Sequence, residues 1–385
     1  MAEPGAALLN RCPRLILQRK LICVKINIMK KRNKRIAIIS RESNSRTLDV
    51  AMLEEELLKR GVRVRVLSRL LTKDKSIKAI GYLGHVVKQE AAILVSDVVV
   101  LDTYCIPASM IPHRRGTKVV QMWHALSAVK KFGWQTVGKE GGSSERTARL
   151  MKMHHGYDYV VCASDITAKH FCEAFRTGRD RIIKCGLPRI DYIKSVACGE
   201  RHDDTAEKIK AKYPQLGGGK KTILYAPTFR RGKGVDVQSL VDALDSDDYD
   251  LVVKLHPLYR AGTSEQNGGN TGVIYDETFS SYDWLSVADI IISDYSSLVI
   301  EATLADRPMF IYAYDLEDYS SNTGLNMDFE SEPIAPYVFR DAKELADSIG
   351  KNDYDFNALY AFRDRYIDVD TNNCTAALAD IIESL

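Results

Sequence analysis

Ala288-Asp289-Ile290-Ile291-Ile292-Ser293-Asp294-Tyr295-Ser296-Ser297 is the stretch that decides the fold. Three consecutive isoleucines read as a strand buried on both faces, which is the mark of a parallel sheet. The strand ends in a polar turn, and residues 298–305 read as a helix. A strand that delivers Ser296 and Ser297 to a helix N-terminus builds an anion site. The first-turn N–H groups lack intrahelical partners, the dipole is positive there, and the hydroxyls add donors. A second polar strand end, Leu255-His256-Pro257, precedes it, and a third, Trp123-His124, lies in the other half of the chain. Two histidines and a phosphate cradle at strand ends point to phosphoryl-group chemistry in a cleft between two α/β domains.

Outward from this stretch the same rhythm repeats. In the first half, residues 35–39, 62–67, 98–102, 118–123, 157–163 and 182–185 read as strands, with helical patterns at 48–60, 77–96, 145–154 and 167–176. In the second half, strands fall at 222–226, 251–255, 272–275, 290–293 and 309–312, with helices near 237–244, 280–287, 297–305 and 342–348. Strands alternating with helices imply doubly wound parallel sheets, and 385 residues exceed one ordinary core. The expected organisation is a basic leader (1–34), a first α/β domain on the acceptor side (35–195), a polar linker (196–219), a second, donor-binding α/β domain (220–355) and a helical tail (356–385) that packs back across both. In open sheets of this kind ligands lie beyond the carboxyl ends of the strands, which is where all three polar motifs sit.

Composition sets limits. Residues 1–35 hold ten Lys or Arg and one acid, so the leader's +9 against a chain total of +3 leaves the body at −6. Such a body is a poor general binder of nucleic acid. The leader is no secretory signal, because Gln18-Arg19-Lys20 interrupts its short apolar stretch. It reads either as a segment drawn to an anionic membrane surface, or as a disordered extension upstream of a start at Met29. No run of 18 apolar residues exists. The eight cysteines are scattered without a Cys-x-x-Cys pair, which fits free thiols in a cytoplasmic protein. Neither a metal nor a cofactor is called for. Gly217-Gly218-Gly219-Lys220-Lys221-Thr222 lacks the spacing of a P-loop and precedes a strand, so it reads as linker, and no dinucleotide fingerprint follows the first strand.

The candidate residues follow from their positions. His124 ends a strand and can take a proton from an attacking hydroxyl, with Lys130, Lys131 and Gly133 as a basic, flexible surround. Pro227, Thr228 and Arg230 form the turn after the strand 222–226, and a guanidinium there can grip a phosphate. His256, held extended by Pro257, can donate to a diphosphate or a leaving phosphate. Asp294, Ser296 and Ser297 make the phosphate turn. Asp315 and Glu317 are acidic groups after the strand 309–312, suited either to a hydroxyl or to plain loop capping.

Taken in order, Trp123-His124, Lys130, Gly133, the segment 157–164, Gly186-Leu187-Pro188-Arg189-Ile190-Asp191, Leu224 to Arg230, Lys254-Leu255-His256-Pro257, Ile292 to Ser297, Arg307-Pro308 and Tyr314 to Tyr319 resemble the CDP-glycerol glycerophosphotransferase family, the teichoic acid primases and polymerases. The likeness spans about residues 98–340. It implies two facing Rossmann-like domains of the GT-B architecture and transfer of a polyol phosphate from a CDP-polyol to a lipid-linked or polymeric acceptor hydroxyl, releasing CMP. It implies His124 as base, with His256, Ser296 and Ser297 on the donor diphosphate and Arg230 beside it. It also implies a place in the cytoplasm, at the inner face of the cell membrane. Two departures stand out. Ala125 follows Trp-His where the family has Gly, and Thr323-Gly324-Leu325-Asn326-Met327-Asp328-Phe329 replaces an Arg-Gly-Phe-Tyr segment. Other readings are a nucleotide-sugar transferase or epimerase of the same architecture, or a non-catalytic partner subunit. Glycerol against ribitol, and the oligomeric state, stay open.

Overall fold

The computed structural model describes residues 34–71, 78–139, 142–230, 234–255 and 273–385. The leader (1–33) and His256-Pro257 lie outside the described residues.

Two wholly parallel sheets of six strands organise the chain. The first comprises β1 (Arg35–Ser40), β2 (Arg63–Ser68), β3 (Val98–Leu101), β4 (Lys118–Gln121), β5 (Tyr159–Cys162) and β6 (Ile182–Lys184), in the order β2-β1-β3-β4-β5-β6. The second comprises β7 (Lys221–Ala226), β8 (Tyr249–Val253), β9 (Val273–Tyr275), β10 (Ile290–Ser293), β11 (Met309–Tyr312) and β12 (Val338–Phe339), in the order β12-β11-β10-β7-β8-β9. The strand order reverses between β1 and β3 in one sheet and between β7 and β10 in the other. Crevices open at such points, outside the carboxyl ends of the strands. Ile290 to Ser293 are buried, as their apolar run requires, and β1 is buried from Ile36 to Ser40.

Several elements differ from the sequence reading. Residues 196–219 are no plain linker. They hold the end of the helix Pro188–Cys198, then the helix His202–Lys212 and a short 3₁₀ turn. Ala206 and Ile209 are buried against a charged outer face, so the segment's polarity is that of an exposed helix surface. Pro188 opens its helix at the first turn, where no N–H is needed. The short strand β12 and the helix Leu316–Thr323 were not foreseen. The helix expected at 297–305 is one α-turn, Leu298–Glu301, continued as 3₁₀ to Ala305.

Two features bind the halves together. Arg189 is buried, its backbone N–H and guanidinium both donating to Asp49 (2.8 Å each), and it reaches Glu301 at 2.8 Å. Tyr282 donates to the other oxygen of Glu301 at 2.7 Å. The helix Phe356–Tyr366 touches both the helix Asp165–Phe175 and the turn Ala302–Ala305. The helix Cys374–Ser384 then returns to the first half, where Asp191 accepts from the N–H groups of Cys374 and Thr375 at 2.8 Å each. Its far end meets Arg60, which pairs with Asp380 and Glu383 at 2.6 and 3.0 Å. Gly186 lets this helix pack closely, since a Cβ there would lie 2.4 Å from the Cys374 Sγ and 2.9 Å from the Ile190 Cδ1 and would push those side chains away. The segment Gly186–Asp191 is thus structural cement, a role its letters did not disclose.

Candidate active site

Strand ends from both sheets meet in a cleft of about 470 Å³. The first half contributes Trp123, His124, Ser127, Lys130 and Phe132, and the second contributes Pro227, Thr228, Ser296 and Ser297. Seven of the candidate residues, His124, Lys130, Lys131, Pro227, Thr228, Ser296 and Ser297, therefore share one cavity.

His124 follows β4. Its Nδ1 lies 2.9 Å from the carbonyl oxygen of Asp102. A carbonyl only accepts, so Nδ1 carries the hydrogen and Nε2 presents a lone pair. Glu42 Oε1 lies 3.8 Å from the same Nδ1. The residue before it, Trp123, has φ +59°, a strained left-handed conformation for an aromatic residue. Its N–H donates to Gln121 Oε1 at 2.9 Å, and its ring stacks on Phe132 with centroids 4.7 Å apart. These contacts fix the direction of the His124 ring. Beneath lies His154, which burial pushes down to about 3, so it stays neutral. Asp102 is buried beside His124, and burial pushes its carboxyl up to about 6.

Lys130 forms part of the cleft wall, its Nζ 5.7 Å from the Tyr319 ring centroid. The protein around it lowers its pKa to about 8, opposed by the charge of Asp294. Its backbone bridges Leu325 across the halves. Around that bridge Lys131 N–H donates to Gly324 O at 3.0 Å and Asn326 N–H to Val129 O at 2.9 Å. Asn326 also exchanges hydrogen bonds with Gln135. The segment 323–329, which departs from the resemblance noted above, is therefore the one that clasps the first half at residues 129–135. Gly133, expected to loosen this region, does the opposite. It has φ +56°, and a Cβ there would lie 2.4 Å from the Ala174 carbonyl oxygen, so the chain is seated closely against a helix.

On the opposite wall the polar groups tie one another down. Asp294, wholly buried, accepts from Thr228 N–H on both oxygens at 2.9 Å, from Tyr295 N–H at 2.6 Å and from Arg230 Nη1 at 2.8 Å. Arg230 forks onto Asp315 at 2.6 and 2.9 Å, and the Tyr295 hydroxyl donates to the same carboxylate at 2.9 Å. Arg230 is 4% exposed and does not line the cleft, which corrects the picture of a loop guanidinium gripping phosphate. Asp294 and Asp315 likewise stand behind the wall as its frame. Glu317 is not brought to the cleft at all. It is exposed, pairs with Arg340 at 2.8 Å and lines a separate depression with Leu325 and Asn326. An acidic residue one helical turn past a strand end points where its helix points, and the sequence did not show that helix.

Several polar groups of the residues that line the two walls have no hydrogen-bond partner. Thr228 Oγ1 and Ser127 Oγ are buried without a partner. Among the described residues, the Ser297 hydroxyl and the N–H groups of Ser296 and Ser297 have none either. Buried polar groups of this kind call for a ligand rich in acceptors. Lys254, beside the undescribed His256, is itself buried and donates to Asp276 O at 2.7 Å and Phe279 O at 2.5 Å, fixing the end of β8. Among the described residues no group of three or more His, Cys, Asp or Glu could hold a metal ion, and no helix is long and apolar enough to cross a membrane. Sequence reasoning passed over Arg41, Glu42 and Asp102. Their signal was available, since each follows a strand as His124 does.

Two parallel sheets facing across a cleft of strand ends define the two-lobed GT-B class. Over residues 22–384 the sequence matches the model of the family described as CDP-Glycerol:Poly(glycerophosphate) glycerophosphotransferase, and the chain belongs to that family. It is 32% identical to the teichoic acid ribitol-phosphate primase of Bacillus spizizenii, over 84% of each chain. It is 28% identical to the teichoic acid glycerol-phosphate primase of Bacillus subtilis, over 78% of this chain and 77% of that one. Among solved structures, the wall teichoic acid polymerase TagF superposes with a TM-score of 0.70 at 20% identity, covering 96% of both chains, and so shares the fold.

Proposed function

We propose that this protein transfers a polyol phosphate from a CDP-polyol to a hydroxyl of a lipid-linked or polymeric acceptor, with His124 as general base. The observation that carries the reading is the shared cleft. His124, with Nε2 free, and the open donors of Thr228, Ser296 and Ser297 line one cavity from opposite sides.

In this reading the donor diphosphate lies against Thr228, Ser296 and Ser297, and the cation of Lys130 faces it. Asp294, Arg230 and Asp315 act as positioning residues that hold the two turns in register. The acceptor hydroxyl approaches His124 Nε2 and gives up its proton as its oxygen attacks the β-phosphorus. The bond from that phosphorus to the bridging oxygen breaks, and CMP leaves with the electron pair. His256 is assigned to the donor side by its motif alone. Phosphoryl transfer asks the protein chiefly for positioning and charge stabilisation, which a preformed donor wall supplies. The basic leader is assigned to an anionic membrane surface, where a lipid-linked acceptor would be found.

The test is CMP release with CDP-glycerol and CDP-ribitol, supplied separately together with a lipid-linked acceptor. One of the two donors should turn over. Release from UDP- or GDP-sugars in place of both would point to the nucleotide-sugar alternative.

A further inference from the structure

The first sheet reverses its strand order between β1 and β3, a place where ligands lie in open sheets, and the mechanism above leaves it unused. Arg41 directly follows β1 there. The Arg41 N–H donates to Thr103 Oγ1 at 3.2 Å, which pins the exit of β1 to that of β3. Its guanidinium lies 5.2 Å from the Tyr104 ring centroid. Its Nε is buried without a hydrogen-bond partner, and among the described residues no carboxylate pairs with it. That sets it apart from Arg189 and Arg230, each of which holds two carboxylates. A partly buried guanidinium without an acceptor is costly unless a ligand supplies one.

The groups around it are also donors in want of an acceptor. The helix Lys78–Val95 presents Tyr82, His85 and Gln89 on one face. The Tyr82 hydroxyl, His85 Nε2 and Gln89 Nε2 are buried with no partner in good hydrogen-bond geometry beyond the weak approach of Arg41 and Gln89 to the Tyr82 hydroxyl, and Gln89 is only 1% exposed. Gln89 Oε1 accepts from Cys105 Sγ at 3.9 Å, which turns its amide nitrogen the other way. Arg41 and Gln89 both act on the Tyr82 hydroxyl, so the three converge. The cluster adjoins the base. The next residue, Glu42, comes within 3.8 Å of His124, and Arg41 and His124 both act electrostatically on the His154 ring between them. Tyr104 and Trp123 flank that same ring, with centroids 5.5 and 5.8 Å away.

We infer that Arg41, with Tyr82 and Gln89, forms an acceptor-side phosphate site, which holds a phosphate ester of the acceptor while the hydroxyl one unit further out reaches His124. The chemistry selects the ligand class. A planar fork of N–H donors with a hydroxyl and an amide suits phosphate oxygens, whereas a neutral sugar would leave the guanidinium without a counter-charge. The inference rests on the proposed transferase reading for its geometry. It makes the enzyme an extender that prefers an acceptor already ending in a polyol phosphate.

The test uses the full chain and the variants Arg41→Ala, Arg41→Lys and Gln89→Leu. CMP release is measured with an acceptor ending in a glycerol phosphate unit and with one ending in an unphosphorylated sugar. Arg41→Ala should raise KM for the phosphorylated acceptor roughly 10- to 100-fold, as for loss of hydrogen bonds to a charged group. The donor KM, the KM for the sugar acceptor and the melting temperature should stay put. Arg41→Lys should recover part of the loss, and Gln89→Leu should show a smaller defect. Equal defects with both acceptors, or a changed donor KM, would overturn the assignment. Direct binding of sn-glycerol 3-phosphate to the donor-free protein gives a readout independent of turnover. Wild type should bind it and Arg41→Ala should bind at least tenfold more weakly. Equal binding by the two overturns the site even if transfer is seen. Absence of CMP release with that binding difference intact would instead strike at the transferase reading.

Discussion

The two walls of the cleft are built on opposite plans. Behind the wall that carries Thr228, Ser296 and Ser297, the proposed donor wall, nearly every charged group is matched. Asp294 takes four hydrogen bonds, and Arg230 is divided between two carboxylates. On the other wall His124 keeps a free nitrogen and Lys130 has a depressed pKa, and behind that wall Arg41 lacks a carboxylate. The difference teaches that charge alone does not mark a binding residue. A saturated network fixes geometry, and the groups it leaves open do the binding.

That contrast can be broken first at its most rigid point. Arg230→Ala would strand Asp294 and Asp315 in the interior and should cost about 3–5 kcal/mol of stability, as for breaking a buried ion pair. Chemical denaturation would read this, and an unchanged midpoint would show that the donor wall is not held by its charges. Arg189→Met tests the same physics at the join between the halves. His124→Ala should do the reverse, leaving melting temperature and CDP-polyol affinity in place while kcat falls by on the order of 10²–10⁴. Parallel loss of donor affinity would remove it from the role of base.

Lys130 gives a finer distinction through pH. Its pKa is lowered to about 8, so its cation is present below that pH and is lost as pH rises through it. Donor affinity should therefore weaken roughly tenfold one unit above that value. Titrating donor KM in wild type and in Lys130→Arg would show the alkaline limb disappear in the variant. The smallest effect is expected at Ser297→Ala, where losing one hydroxyl donor should raise donor KM roughly fivefold without touching stability.

How much of this could be read from the letters depends on the kind of order involved. The strands β1, β7 and β10 were plain because burial on both faces forces an unbroken apolar run. The residues that share the cleft were legible for the same reason, since a polar group at the carboxyl end of such a strand has one place to be. The helices Pro188–Cys198 and His202–Lys212 were obscured because their exposed faces are charged and short. Arg230, Asp315 and Glu317 showed the limit most clearly. Each follows a strand, yet the first two face each other behind the wall and the third turns away with its helix. Pairing between residues 85 positions apart has no local signature.

The helix Cys374–Ser384 carries a consequence for biogenesis. It is capped by Asp191 and pinned at its far end by Arg60, so the first lobe is finished by a segment that follows the second lobe in sequence. A ribosome would release all six strands of that lobe, and then the whole of its neighbour, before the missing helix emerged. The lobe that carries His124 is therefore completed only after the second lobe has been made. A nascent chain stalled short of residue 374 would hold an apolar seat open to chaperones, and the first lobe would stay unfinished until that helix had emerged.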